Sequence, residues 1–256
     1  KKENSVTKIS DKLLGLKWDS VNHSCAYDSL FTILFNVWSQ NKIQWSDVLE
    51  NHGNYAQTLL EGFKKIDNEG NNFQQARNTV RHKLQRDALQ VFPNGNTGTD
   101  IRDLLTYMFQ QSNEGDCDQI AKCSSCNYNA ILNSTSRSLI FVTSSQHKST
   151  NRMFEKWQYN NEDNCLDCNS KIIKTRTFNI KPNFVCFSFE VNVSISKKIK
   201  VIIEGKSVTH LPLRGIIYSG GHHFTARVVL GNENVWYHDG IETGIHCYKD
   251  NNLNTF

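Results

Sequence analysis

The sequence predicts an α+β fold. Residues 24–110 read as mostly helical and residues 137–238 as mostly strands. Helices that come first and strands that come later point to α+β rather than to alternating β/α units. Only three prolines occur, at 93, 182 and 212, so no proline-rich linker divides the chain.

The first helix begins near Cys25, where Leu30, Ile33, Leu34 and Val37 recur at helical spacing and Ser24 is placed to cap. Further helices are expected at 54–67, 72–90 and 99–110. Thr99 or Asp100 would cap the last, which buries Ile101, Leu104, Leu105 and Met108. The stretch 111–170 reads as polar and irregular apart from the apolar run Leu139 to Val142. Strands are expected at 171–178, 184–191, 199–204, 213–218, 223–230 and 234–238, with turns at Gly220-Gly221 and Gly231-Asn232.

Composition narrows the function. The 256 residues, 38% hydrophobic, suffice for one large domain or one domain with an insertion. A chain that starts at Lys1 reads as a fragment of a longer protein. No stretch approaches the roughly 18 consecutive apolar residues of a membrane span, and KKENSVTKISDK lacks the apolar core of a signal peptide. The net charge of +4, with 29 basic and 25 acidic residues interleaved, argues against nucleic acid. Lys64-Lys65 and Lys197-Lys198 read as solvated faces. Asn22-His23-Ser24, Asn133-Ser134-Thr135 and Asn192-Val193-Ser194 are read as chance glycosylation patterns.

Cys25 opens an amphipathic helix, where free amides and the dipole stabilise a thiolate and lower its pKa. The plainer reading is a small buried residue. A cysteine nucleophile also needs a base and an orienting partner. Gly220-Gly221-His222-His223 opens one strand, and Trp236-Tyr237-His238-Asp239 closes another. Two adjacent antiparallel strands would bring His223 beside Asp239, whose carboxylate would fix the imidazole tautomer. Without Cys25 these would read as turn residues.

Cys123-x-x-Cys126 and Cys165-x-x-Cys168 are separated by 38 residues. Two such turns make a closed site of four thiolates, which suits structural Zn2+. A lost metal or redox-active pairs are the alternatives, and Cys117 or His147 can substitute for one ligand. Cys186 reads as core, and Cys247 has no identifiable partner.

Taken together, these segments resemble the ubiquitin-specific protease superfamily of papain-like cysteine isopeptidases. Ser24-Cys25-Ala26-Tyr27-Asp28-Ser29-Leu30 looks like its cysteine box. Leu213-Arg214-Gly215-Ile216-Ile217 through His223-Phe224-Thr225-Ala226 looks like its histidine box, and the His-aromatic register selects His223 over His222. Trp236 to Asp239 matches the segment of the third catalytic residue, and the paired CxxC motifs match the zinc site of the fingers. The resemblance spans roughly 16–245, in the family's motif order.

The resemblance implies one catalytic domain over 1–256, with a helical thumb at about 16–115, zinc-bearing fingers at about 116–200 and a β-rich palm at about 201–256. It implies a monomer, cytoplasmic or nuclear, that removes ubiquitin or SUMO through Cys25, His223 and Asp239. Two positions depart from the family pattern. Ser20 stands five residues before Cys25, where the family has an asparagine or similar oxyanion donor, and Asn22 stands three before. Asp28 stands where deubiquitinases usually have asparagine. Asp28, Trp18 and Cys165-Leu166-Asp167-Cys168-Asn169-Ser170-Lys171 look closer to the ubiquitin-specific-peptidase-like SUMO isopeptidases. Three readings compete with an isopeptidase: a catalytically silent binder of such modifiers, a zinc-organised interaction or nucleic-acid module, and a papain-like peptidase with unrelated substrates.

Overall fold

The computed structural model describes residues 13–70, 72–109, 117–135, 141–143, 149–160, 163–189, 193–203, 208–231 and 234–250. In chain order the elements are α1 (Cys25–Gln40), α2 (Lys42–Glu50), α3 (Asn54–Glu69), α4 (Phe73–Asp87), α5 (Ile101–Met108), β1 (Cys117–Cys123), β2 (Asn129–Thr135), β3 (Phe141–Thr143), α6 (Thr150–Gln158), β4 (Tyr159–Asn160), β5 (Ile172–Phe178), β6 (Cys186–Ser188), β7 (Lys198–Val201), β8 (Thr209–Pro212), β9 (Gly215–Gly220), β10 (His223–Val229), β11 (Val235–His238) and β12 (Tyr248–Asp250). Helices dominate the first half and strands the second, as the periodicity predicts.

The chain divides into two compact units. Among the described residues, one comprises 13–46, 58–104 and 214–250, the other 47–57 and 105–213. In the first, β12-β11-β10-β9 form an antiparallel sheet. Alternation along β10 sends Ala226 and Val228 to one face, where they pack with Ile33 and Val37 of α1. Every residue of α1 from Cys25 to Trp38 is buried, so this helix is enclosed rather than laid on a surface. Its other side carries Phe35, which meets Phe63 and Phe73 at ring-centroid distances of 5.2 and 4.7 Å. Asn72 caps α4 by accepting from the Gln74 amide at 2.8 Å, and Asp100 caps α5 by accepting from Arg102 at 2.7 Å. Of the two α5 caps expected, Asp100 therefore serves.

The second unit departs from the sequence reading. The stretch expected to be irregular holds β1, β2 and α6, and β1 pairs with β2 and β5 in a sheet of order β2-β1-β5-β4. Strand β1 is hard to read because polar Asp118 and Gln119 are half-buried beside Ile120, so neither face presents a clean apolar alternation. Helix α6 is short and is capped by Ser149, which accepts from Arg152 at 3.3 Å. Its Met153 and Phe154 enter a core with Cys117, Phe178 and Val201. The run Leu139 to Val142 lies partly outside the described residues, and its described end forms β3, paired in parallel with β6. Helix α2, β8 and β12 are also absent from the sequence reading. Their nine, four and three residues are too few to establish a period.

Gly215 is the point where β9 passes closest to α1. A Cβ there would lie 2.6 Å from the Ile33 side chain. Gly215→Ala should therefore destabilise the chain by about 1–3 kcal/mol through overpacking. Adding Ile33→Ala should recover part of that loss, giving a non-additive double-mutant cycle in urea denaturation.

Candidate functional site

Cys25 is the first residue of α1 and is 7% exposed. Ser24 precedes it at the N-cap position but makes no capping hydrogen bond with its side chain. Its hydroxyl donates to Asp28 Oδ2 at 2.6 Å and accepts from the Asp19 amide at 2.8 Å. The expected cap is thus diverted into a buried polar cluster. The amide of Phe224, the residue after His223, lies against the Cys25 thiol and works to lower its pKa. That contact brings the start of β10 to the start of α1.

The thiol is not depressed as the helix terminus alone predicts. Burial raises it above the usual cysteine range. The Phe224 amide opposes that rise, the Asp28 charge adds to it, and the amides of Ala26 and Cys25 oppose it. Desolvation outweighs the free amides because the sulfur lies inside the protein rather than at an open helix end.

His223 and Asp239 meet. His223 Nε2 lies 3.0 Å from Asp239 Oδ1, and the side chains are 23% and 8% exposed. The register Ala226↔His238 puts Asp239 just past the end of β11, within reach of the start of β10. An ionised Asp239 accepts from Nε2–H, which leaves Nδ1 as the imidazole's basic nitrogen. Asp239 is itself anchored: Oδ1 accepts from the Ile241 amide at 2.7 Å, and the Asp239 amide donates to Thr243 Oγ1 at 3.1 Å. Burial works to raise the Asp239 carboxyl. The hydrogen bonds from His223 and Ile241, the His223 charge and the Glu242 amide prevail and hold it below the usual aspartate range. His222 sits in the turn at φ 62 and is exposed.

The loop ahead of Cys25 is laced to the turn beyond Asp239. The Trp18 amide donates to Gly240 O, and Gly15 N to Ile245 O, each at 3.0 Å. His238 is fully buried, and its Nε2 accepts from the Leu16 amide at 3.1 Å. A Cβ on Gly15 would lie 2.2 Å from the His238 ring, so this close approach requires glycine. Of the two oxyanion candidates, Ser20 is exposed in a turn, while the side-chain amide of Asn22 donates to Asp19 Oδ2 at 2.9 Å.

Beneath this loop lies a cluster that sequence reasoning missed. Arg77 Nη1 donates to Asp28 Oδ1 at 2.7 Å, Lys17 O at 2.8 Å and Ser24 Oγ at 3.1 Å. Both charged side chains of the Arg77–Asp28 pair are almost wholly enclosed, at 3% and 2% exposed. Burial pushes the Asp28 carboxyl up to about 7, against the pull of Arg77 and Ser24. One turn further along α4, Arg81 Nη1 donates to Asp19 Oδ2 at 3.0 Å. Arg77 and Arg81 sit at i and i+4, a spacing that would have placed them on one helix face. Their partners lie 49 to 62 residues away, and no local pattern reveals that.

In the second unit the four CxxC cysteines converge. Their sulfurs all lie within 4.8 Å of one another, with Cys123 and Cys168 at 3.4 Å and Cys126 and Cys165 at 3.6 Å. Tetrahedral coordination at about 2.3 Å requires sulfur separations of roughly 3.8 Å, so the cluster can hold such a metal ion. Each pair sits in a tight turn. Cys123 N donates to Tyr128 O at 3.1 Å, Cys165 N to Ser170 O at 2.7 Å, and Ser125 N to the Cys123 sulfur at 3.3 Å. Cys117 is not at the cluster but in the core with Met153 and Phe154, and His147 lies outside the described residues. Cys186 lies in β6, where burial pushes its thiol up to about 12. Cys247 is buried and donates to Leu14 O at 3.5 Å.

The raised thiol has a direct consequence. Alkylation of Cys25 by iodoacetamide, read by mass spectrometry, should keep accelerating through pH 9 with no plateau near neutrality. Asp28→Asn removes a neighbouring negative charge and should move the profile to lower pH.

No protein-family profile matches the chain, and no curated protein does. Solved structures do. The chain is similar to the SAGA DUB module of Ubp8, Sgf11, Sus1 and Sgf73 bound to monoubiquitin, at TM-score 0.63 and 12% identity, covering 93% of this chain and 65% of that one. It is similar to the same module bound to ubiquitin aldehyde, at TM-score 0.64 and 12% identity, covering 93% and 66%. A further yeast SAGA module structure matches at TM-score 0.55 and 14% identity, covering 93% and 64%. The chain therefore spans just under two thirds of these matched chains. Ubp8 is a deubiquitinase of the ubiquitin-specific protease family, and the likeness shows that this chain has a fold of that kind.

Proposed function

We propose that this chain is the catalytic domain of a cysteine isopeptidase that removes ubiquitin from its conjugates. The observation that carries the reading is the join of α1 to β10. The Phe224 amide lies against the Cys25 thiol, and His223, one residue earlier, bonds Asp239 at 3.0 Å. A thiol, an imidazole and an orienting carboxylate are the set that acyl-transfer chemistry uses. The fold is that of structures described as bound to ubiquitin. In this reading the helical segment, the cysteine-bearing sheet and β9 to β12 serve as thumb, fingers and palm.

His223 takes the Cys25 proton, and the thiolate attacks the carbonyl carbon of the modifier's C-terminal glycine. The Cys25 amide, with Ser20 or Asn22, faces the oxyanion. His223 returns the proton to the departing lysine amine, and water hydrolyses the thioester.

Two observations support other readings. Asp28 and Trp18 favour SUMO as the modifier. The raised Cys25 thiol favours a domain that binds a modifier without turnover. The four thiolates suit Zn2+ as a structural ion, since four protein ligands leave no open position for catalysis. They also suit a reducing compartment, the cytoplasm or nucleus.

A ubiquitin probe with a C-terminal electrophile should label Cys25, and a SUMO probe run beside it should not. Cys25→Ala should abolish both labelling and conjugate cleavage while leaving the thermal transition in place. Labelling at another residue, or with neither modifier, would remove the case for this activity. The purified chain should carry one zinc per molecule by elemental analysis. Cys126→Ser should lose that zinc and lower the melting temperature.

A further inference from the structure

The loop between Lys17 and Ser24 has no regular structure of its own, yet it carries both oxyanion candidates and delivers Cys25. Its shape is set by one carboxylate. Asp19 Oδ1 accepts from the Val21 amide at 3.1 Å and the Asn22 amide at 3.3 Å, and Oδ2 accepts from Asn22 Nδ2 at 2.9 Å. Asp19 N in turn donates to Ser24 Oγ at 2.8 Å. The loop then passes His23 at φ 42, in the left-handed region, and enters α1. A carboxylate that holds three donors in so short a span needs its own orientation fixed from outside.

That anchor is α4. Arg81 Nη1 bonds Asp19 Oδ2 at 3.0 Å, and the Arg81 side chain is 4% exposed. Arg77 Nη2 stands 3.9 Å from the same oxygen, and its Nη1 holds Lys17 O at the start of the loop. The two arginines divide the work. Arg77 is committed to the enclosed Asp28, so removing it would strand a buried charge and threaten folding. Arg81 reaches only Asp19 among the hydrogen bonds of the described residues, and its Nε is buried without a partner there. A guanidinium taken out of water with one nitrogen unpaired is an expensive way to secure a half-exposed loop.

Resting on the isopeptidase reading above, we infer that Arg81 is a positioning residue for the reaction, holding Asp19, and through it the shape of the 19–22 turn, so that the Ser20 hydroxyl or the remaining Asn22 Nδ2 hydrogen serves the oxyanion beside Cys25. Arg81 touches neither substrate nor Cys25. It acts through Asp19, and its effect falls on the transition state, where the oxyanion exists, and not on binding of the modifier. The thiol and imidazole are held by other contacts, the Phe224 amide and Asp239, so their intrinsic reactivity does not pass through Arg81.

The test compares wild type with Arg81→Gln, Arg81→Lys and Asp19→Asn, each shown to be folded by its thermal transition. It uses steady-state cleavage of a ubiquitin C-terminal amide, with iodoacetamide alkylation of Cys25 as the second readout. Arg81→Gln and Asp19→Asn should lower kcat about tenfold to hundredfold with KM changed by less than about twofold. Alkylation should stay within about twofold of wild type, and Arg81→Lys should recover most of the lost kcat. Unchanged kcat, a loss confined to KM, or alkylation falling in parallel with kcat would each overturn the inference. If Arg81→Gln does not fold, Asp19→Asn alone decides, because Asp19 is the more exposed member of the pair. Wild-type protein that neither cleaves the amide nor reacts with a ubiquitin probe overturns the isopeptidase reading and this inference with it. Active wild type with indifferent variants overturns the inference alone.

Discussion

The enclosure of α1 is the constraint on which the rest of the site depends. Every residue from Cys25 to Trp38 is buried, so the helix has no freedom to slide or roll without opening cavities. Ile33 and Val37 lock it against Ala226 and Val228 of β10, and Gly215 lets β9 pass close enough to complete the fit. Each fully buried side chain of this size contributes about 1.5–3 kcal/mol. Once this packing is made, the start of α1 must lie beside the start of β10. The nearness of the Phe224 amide to Cys25 follows from packing deeper in the same unit.

Enclosure also brings a cost that the structure meets with charge. Asp28 lies on the buried first turn of α1, and Arg77 reaches it from α4. Buried ion pairs seldom add net stability, because desolvating two charges offsets their attraction. What this pair supplies is geometry. The same Arg77 nitrogen holds Lys17 O and Ser24 Oγ, so the ends of the loop before Cys25 are tied to one helix. The other side of that loop is tied to the turn after Asp239 through Gly240, Ile245 and His238. Cys25 and Asp239 are thus linked through the loop that precedes Cys25.

The cysteine cluster obeys a different economy. Its surroundings offer a small apolar group, with Ala121, Cys165 and Ile172 buried and Tyr128 packed against them. A core of that size cannot hold two turns together against their conformational entropy. Four sulfurs within 4.8 Å supply what the core lacks once a metal bridges them. The β1–β5 pairing, in which Cys123 stands opposite Ile172, sets the two turns face to face.

The order of helices and strands, the helix that Cys25 opens, the strand turn bearing His223, the strand end bearing Asp239 and the four metal-suited cysteines were legible in the residues alone. Each is a short-range signal: a period, a cap, a turn or a spacing of two residues. Only the tertiary structure decided that burial raises the Cys25 thiol, that Ser24 turns its hydroxyl away from capping, and that Arg77 and Arg81 hold the loop. Those outcomes depend on which groups meet after folding, at separations of 49 to 62 residues in the case of the arginines. The strands β1 and β2 and helix α6 stayed hidden for a related reason. The nine residues of α6, though buried on one face at Thr150, Met153, Phe154 and Gln158, are too few to establish a period, and β1 mixes buried Cys117 and Ala121 with half-buried polar residues, so these elements become visible only when their neighbours are in place.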